Sequence, residues 1–152
     1  MARRLFLSRL AQFAALPFVA VAGPVLAQAG HKSLKILMKS AWGSDDPTKA
    51  AFPFSHGLVL TDAGHEVQIY LLGEAVVLMR KTVANAVTPV GWPPVGESLE
   101  KLAAKHVPIF ACGACARARG VTEADLQNYG AKFGSPPIFV SLIEWADHII
   151  TE

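Results

Sequence analysis

Residues 107–120 of the chain are VPIFACGACARARG, an apolar run that passes through two cysteines into a short helical stretch ended by Gly120. The apolar part, 107–111, has the length and composition of a buried strand, and a glycine is a common end for the helix that follows it. Cys112 therefore follows directly on the strand, and Cys115 lies about one helical turn later. Parallel α/β sheets carry working residues at the carboxyl ends of their strands. This stretch predicts a strand-to-helix junction at the functional edge of such a sheet.

Strand-like and helix-like stretches alternate on both sides of this junction. Asp46 followed by Pro47 predicts the capped start of a helix, and Pro53 predicts either a kink or a later start. Alternation of this kind indicates βαβ units, and hence a three-layer α/β sandwich with a mainly parallel sheet of about five strands flanked by helices, with flavodoxin-like topology. The further predicted strands are 34–40, 66–72 and 147–151, and the predicted helices are 47–63, 74–85, 97–105, 113–119, a short one after Thr122, and 136–146.

Residues 1–29 have the pattern of an export signal. Arg3, Arg4 and Arg9 precede an uncharged run over 10–26, and small residues follow it up to Ala29. Prolines and polar residues interrupt the run, which falls short of the roughly 20 apolar residues that a membrane span needs. We therefore expect the segment to be cleaved and no stable span to remain in the mature protein.

The paired arginines also bear on the export route. Arg3 and Arg4 are followed by Phe6 and Leu7, and this segment resembles the bacterial twin-arginine export signal. The sequence thus predicts a signal peptide at 1–29 and a single periplasmic domain at 30–152.

Charge excludes several classes of function. Of 14 basic and 12 acidic residues, three bases precede residue 30, which leaves 11 bases against 12 acids and a net charge of −1 for the mature domain. Neither a basic cluster with interleaved aromatics nor a phosphate-binding or G-x-S-x-G motif occurs. We expect no nucleic-acid partner and no dedicated cofactor.

Cys112 and Cys115 are the candidate catalytic residues. A cysteine at a strand-to-helix junction faces unpaired backbone N–H groups and the positive end of the helix dipole, and both favour the thiolate. Arg117 and Arg119 add positive charge nearby. Such a pair can cycle between dithiol, persulfide and internal disulfide.

Two other interpretations of the cysteines stay open. They could be small apolar residues that fill space, or they could join histidines in a zinc or copper site. The metal content is therefore undetermined at this stage, although no two of the histidines are close in sequence: His31, His56, His65, His106 and His148.

Residues 107–126 resemble the cysteine segment of the DsrE/DsrF-like family, small α/β sulfur-relay proteins. Residues 62–67 (DAGHEV) resemble that family's turn into its second strand, and 141–151 its closing helix and strand. The family's relay cysteine ends a strand eight residues before a glycine that follows an arginine, as Cys112 does before Gly120. The resemblance implies that Cys112 carries sulfur, that Cys115 is an accessory, and that the protein is a homo-oligomer, commonly a trimer or hexamer.

Three functions are consistent with these observations. The first is a periplasmic carrier or transferase that holds sulfane sulfur as a persulfide on Cys112 and exchanges it with sulfur donors and acceptors. The second is a thioredoxin-type dithiol oxidoreductase, and the third is a non-catalytic module that binds a metal ion or small ligand. The first two share the requirement for an activated Cys112.

Export provides a direct test of the N-terminal prediction. We expect the mature protein to begin after Ala27 or Ala29, and the Arg3→Lys, Arg4→Lys double variant to lose export, because the twin-arginine route requires both arginines. N-terminal sequencing of the periplasmic protein and immunoblots of cell fractions measure both effects. Undiminished export of the folded double variant would contradict the twin-arginine prediction while leaving a periplasmic location open.

Overall fold

The structure, a computed structural model, describes residues 32–152, which form one compact unit. The predicted signal and the predicted start of the domain at residue 30 lie outside the described residues. Within 32–152, none of the helices combines the length and apolar character required to cross a membrane. The strands are β1 (Lys35–Ser40), β2 (Glu66–Leu71), β3 (Ile109–Cys112), β4 (Lys132–Gly134) and β5 (His148–Thr151). The α-helices are α1 (Pro47–Asp62), α2 (Lys81–Ala86), α3 (Val95–Ala104), α4 (Gly113–Ala118), α5 (Glu123–Gln127) and α6 (Pro136–Trp145), with a 3₁₀ helix at Gly73–Met79.

All five strands are parallel and form one sheet in the order β4-β3-β2-β1-β5. The predicted α/β class, the parallel sheet and the number of strands are confirmed. The order differs from the 2-1-3-4-5 order of flavodoxin-like sheets. It does so because β2, β3 and β4 are added successively on one side of β1, and only β5 returns to the other side.

The direction in which successive strands are added determines which face of the sheet each helix covers. Crossovers between parallel strands are right-handed in nearly all proteins, so strands added in one direction receive their helices on the same face. The large core lies on that face, where α1 and α3 pack against β1, β2 and β3. The last crossover runs in the opposite direction and places α6 on the other face, over a smaller cluster built on Leu37, Tyr70 and Leu142.

Local capping signals in the sequence are confirmed. The Asp46 carboxylate accepts a hydrogen bond from the backbone N–H of Lys49 at 3.0 Å, and α1 begins at Pro47 as predicted. Because the helix runs through Pro53 from that start, the alternative of a later start is wrong. Thr122 and Asp125 form a capping box at the start of α5.

Two features differ from the predicted elements. The stretch predicted as one helix over 74–85 is a 3₁₀ helix and the short α2, separated by Arg80 in an extended conformation. The buried residues of the 3₁₀ helix recur at a spacing of three, which its three residues per turn place on one side. The edge strand β4 was not predicted, since three residues that include an exposed lysine carry no strand periodicity.

The large core predicts how single truncations affect stability. Phe54 of α1 is fully buried in it, so Phe54→Ala should lower the free energy of unfolding by about 3–5 kcal/mol through lost burial and the cavity left behind. Val59→Ala is the matched control on the same helix, because Val59 is 67% exposed and should change stability by less than about 0.5 kcal/mol. Urea unfolding followed by circular dichroism measures both. Equal effects would mean that α1 packs through a different face.

Candidate functional site

Cys112 lies at the carboxyl end of the sheet. It is the last residue of β3, pairs in register with Gly134 of β4, and is the residue from which α4 begins. Cys115 is the third residue of α4, and both thiols are free and partly buried. The predicted strand-to-helix junction is confirmed, and the fold brings the two candidate cysteines together.

The two cysteines face different parts of the molecule. Cys112 packs against the smaller cluster beneath α6, which contains Tyr70, whereas Cys115 packs against the large core. The junction thus keeps one thiol on the thinly covered face of the sheet and the other against the densely packed face.

The pKa of Cys112 is lower than the ordinary value of 9.0. Partial burial alone would raise it, because desolvation disfavours the thiolate. Hydrogen bonds from the backbone N–H and thiol of Cys115, from the N–H of Ala114 and from the Tyr70 hydroxyl outweigh that effect. The residues of the strand-to-helix junction and one side chain from β2 therefore stabilise a thiolate at this position.

The pKa of Cys115 moves in the opposite direction and is raised above 9.0. Burial is the largest cause, and the hydrogen bond to Cys112 together with the negative charge there adds to it, while the N–H of Gly73 and the charge of Arg119 act against it. Of the two thiols, Cys112 therefore loses its proton first as the pH rises, and Cys115 keeps its proton to higher pH.

Tyr70 is a site residue that sequence analysis did not identify. Burial, followed by the charge of Cys112 and the hydrogen bond to it, raises the pKa of Tyr70 to about 12, so the hydroxyl stays a donor at all physiological pH values. The ring packs against Phe139 with centroids 5.0 Å apart. It also fits against Gly134, where an added Cβ would lie 2.6 Å from the Tyr70 ring. The available signal was a tyrosine within an apolar strand, whose buried hydroxyl requires a partner.

The two arginines have different surroundings. Arg119 forms an ion pair with Glu74, with Nε to Oε2 at 3.0 Å and Nη2 to Oε1 at 2.5 Å, and its charge acts more on Cys115 than on Cys112. Arg117 is exposed at the cavity beside Cys112. Among the groups that favour the Cys112 thiolate, the hydrogen-bond donors come first, and Arg119 also interacts with the charge of Cys112, though less than with that of Cys115.

A cavity of about 490 Å³ opens beside Cys112, between the ends of β3 and β4 and the start of α6. Its volume is within the range of roughly 300–1,000 Å³ typical of small-molecule sites. Most of its wall is apolar or backbone, with one guanidinium. It is lined by Tyr70, Cys112, Gly113, Ala114, Arg117, Phe133, Gly134, Ser135, Pro136 and Phe139.

Two of the histidines considered as metal ligands have other partners. His56 contacts the Glu152 carboxylate at 2.7 Å, and the Nδ1 of His65 accepts a hydrogen bond from the backbone N–H of Leu34. Within 32–152, no three His, Cys, Asp or Glu side chains are grouped closely enough to hold a metal ion.

Comparison with known proteins identifies the family. The sequence pattern of the DsrE/DsrF-like family matches residues 33–151, nearly all of the described chain. The chain belongs to the DsrE/DsrF-like family. A comparison with curated proteins finds no match.

Solved structures of three other proteins share the fold. The ychN protein from E. coli superposes with a TM-score of 0.65 at 17% identity, over 80% of this chain and 100% of its own. The protein of unknown function MTH1491 from Methanobacterium thermoautotrophicum has a TM-score of 0.56 at 17% identity, over 79% and 100%. BT1422 from Bacteroides thetaiotaomicron, also of unknown function, has a TM-score of 0.56 at 18% identity, over 78% and 94%. These similarities establish the fold of this DsrE/DsrF-like protein.

The opposite pKa shifts of Cys112 and Cys115 predict different pH profiles for the two thiols. Since the thiolate is the reactive form, alkylation of Cys112 should reach half its maximal rate below pH 9.0 and that of Cys115 above it. Tyr70→Phe keeps the ring, removes the donor and should move the Cys112 profile to higher pH. Iodoacetamide labelling with peptide mass mapping follows each cysteine separately.

Tyr129→Phe is the matched control for that shift. Tyr129 is equally buried, but its hydroxyl has no hydrogen-bond partner within 32–152, so its removal should leave the Cys112 profile unchanged. If Cys115 reacted at lower pH than Cys112, or if both tyrosine variants behaved alike, the assignment of the proton would be wrong.

Proposed function

We propose that this DsrE/DsrF-like protein is a sulfur carrier that accepts sulfane sulfur on Cys112 as a persulfide and passes it to an acceptor. The observation that carries the proposal is the geometry of Cys112, which opens on the cavity among several hydrogen-bond donors while Cys115 packs against the large core. Because the pKa of Cys112 is lowered and that of Cys115 is raised, Cys112 is the more readily ionised nucleophile of the pair. Membership of the family supports the same chemistry.

The proposed cycle requires no cofactor. In loading, the Cys112 thiolate attacks the terminal sulfur of a polysulfide. The bond between the cysteine sulfur and this sulfur forms, and the adjacent sulfur–sulfur bond of the donor breaks, so that the shortened polysulfide leaves with the electron pair. In unloading, an acceptor thiolate attacks the outer sulfur, and Cys112 leaves as a thiolate. The donors that stabilise this thiolate also make it a good leaving group.

Cys115 has a protective or resolving role in this cycle. As a thiol it donates a hydrogen bond to Cys112. As a thiolate it can attack the inner sulfur of the persulfide, which releases hydrosulfide and leaves a Cys112–Cys115 disulfide. The raised pKa of Cys115 slows that reaction at neutral pH and preserves the persulfide for transfer.

A dithiol oxidoreductase is the second candidate, and the coupling of the two thiols favours it. A pair with one stabilised thiolate and a second thiol one turn away can exchange disulfides with substrate proteins. The two functions differ in the product that accumulates on Cys112, which is a persulfide in one case and an internal disulfide in the other.

The periplasmic location and the homo-oligomeric state, a trimer or hexamer, stay predictions. An exported carrier would exchange sulfur with periplasmic proteins or small sulfur compounds. Such a location would also suit the oxidoreductase alternative, because disulfides persist in oxidising compartments.

Cysteine variants test the proposal directly. After polysulfide treatment, intact mass should show one added sulfur atom on the wild type, none on Cys112→Ser, and an equal or larger adduct on Cys115→Ser, because the resolving thiol is absent. Circular dichroism of both variants is the control for folding. An adduct that forms on Cys115 in Cys112→Ser at the wild-type rate would reverse the assigned roles.

Two other outcomes would replace the proposal. A wild type that takes up no sulfur but shows a reversible disulfide with a defined potential would be an oxidoreductase. A wild type that retains a stoichiometric metal, which both serine variants release, would be a binding module.

A further inference from the structure

The cavity beside Cys112 has features that a carrier of purely inorganic sulfur does not need. Three aromatic rings form much of its wall, from β2 (Tyr70), from β4 (Phe133) and from α6 (Phe139). Phe133 remains 37% exposed, and Phe139 is half-buried against Tyr70. A linear polysulfide has no apolar or aromatic group that could pack against these rings. A donor with an apolar or aromatic body has such a group.

The same cavity contains one positive charge. The guanidinium of Arg117 lies close to Gly113, where an added Cβ would be 3.5 Å from Nη1. No acidic side chain within 32–152 forms an ion pair with Arg117, in contrast to the Arg119–Glu74 pair just past the end of the same helix. An unpaired guanidinium beside a thiolate offers planar, bidentate recognition to an incoming oxyanion.

The volume of the cavity is compatible with a ligand that has both an apolar body and an anionic group. An apolar cavity of about 150 Å³ is sufficient to take up benzene. The cavity beside Cys112, at about 490 Å³, therefore has room for an aromatic body together with a sulfonyl group and the sulfur to be transferred.

Resting on the proposed function, we infer that the sulfur donor of this protein is a small organic thiosulfonate, R–SO₂–S⁻, with its apolar group against Phe139 and its sulfonyl oxygens on Arg117. The Cys112 thiolate attacks the terminal sulfur of the donor, and the bond between the cysteine sulfur and this sulfur forms. The bond between the terminal sulfur and the sulfonyl sulfur breaks, and the electron pair leaves on the sulfinate, R–SO₂⁻. Two negative charges enter the step and two leave it, so neither a proton nor an external oxidant is required.

Arg117 has a specific task in this step. Donor and thiolate are both anions, and their repulsion opposes the approach of the terminal sulfur to Cys112. A guanidinium on the sulfonyl oxygens offsets that repulsion and also stabilises the charge of the departing sulfinate. Phe139 selects the apolar group and has no role in the bond changes.

Loading rates with matched donors test the inference. Benzenethiosulfonate, thiosulfate and polysulfide are compared by intact mass under single-turnover conditions, each rate divided by the rate of the same donor with free N-acetylcysteine. We expect benzenethiosulfonate to load Cys112 at least about tenfold faster than thiosulfate on this scale. Phe139→Ala should lower its rate about tenfold, and Arg117→Gln should do the same. Arg117→Gln should lower the polysulfide rate less than the benzenethiosulfonate rate, because polysulfide is an anion but has no sulfonyl oxygens, and Phe139→Ala should lower the polysulfide rate less than the benzenethiosulfonate rate, because polysulfide has no apolar group.

Two controls match these variants. Val140→Ala truncates the neighbouring residue of α6, which is 53% exposed and outside the cavity, and Lys101→Gln removes an exposed charge on α3. Both should retain the wild-type preference. Phe139→Leu provides a second variant in case Phe139→Ala unfolds, and it should show a smaller loss.

A binding experiment that requires no sulfur transfer completes the test. Benzenesulfonate, which has no terminal sulfur, should protect Cys112 of the wild type from iodoacetamide, and methanesulfonate should protect it less. Absence of protection, or equal loading by benzenethiosulfonate and thiosulfate, would overturn the thiosulfonate inference and leave the carrier function in place. Failure of every donor, polysulfide included, to load Cys112 would overturn both.

Discussion

A sulfur anion held partly out of water needs hydrogen-bond donors in fixed positions, and the site depends on this requirement. The backbone supplies two of them, because the chain turns from strand to helix at Cys112 and leaves N–H groups of the first helical turn unpaired. A third comes from Tyr70 on the next strand of the sheet, and the fourth is the Cys115 thiol. The parallel register of β2, β3 and β4 sets the positions of the two backbone donors and of Tyr70.

The order of the strands determines where this anion is accessible. Three successive strands are added to β1 in one direction, so five of the six α-helices within residues 32–152 belong to crossovers on one face, and the opposite face is left to α6. Cys112 faces that side, beside the start of α6, where a space remains open. Cys115 is held against the dense core. The same topology thus provides both an open thiol and a protected one.

Local sequence was sufficient to predict the parts of the fold that local interactions determine. The caps at Asp46 and Thr122 involve residues three positions apart, and both were predictable. The junction at Cys112 was predictable for the same reason. The contact of Tyr70 with Cys112 spans 42 positions and depends on which strands are neighbours, so the sequence pattern contains no local trace of it. The strand β4 depends on pairing with β3, since its three residues have no strand periodicity of their own.

The position of β5 has a consequence for how the molecule reaches its folded state. The last strand pairs with the first, and Asp147 accepts from and donates to the backbone of Lys35 across 112 positions of sequence. Until that strand arrives, β1 is an unprotected edge with open hydrogen-bonding groups, a known template for aggregation. Closure of the sheet must therefore wait until residues 148–151 have left the ribosome, and contacts of such long range slow folding. The nascent protein depends on this final strand to convert an association-prone intermediate into a closed domain.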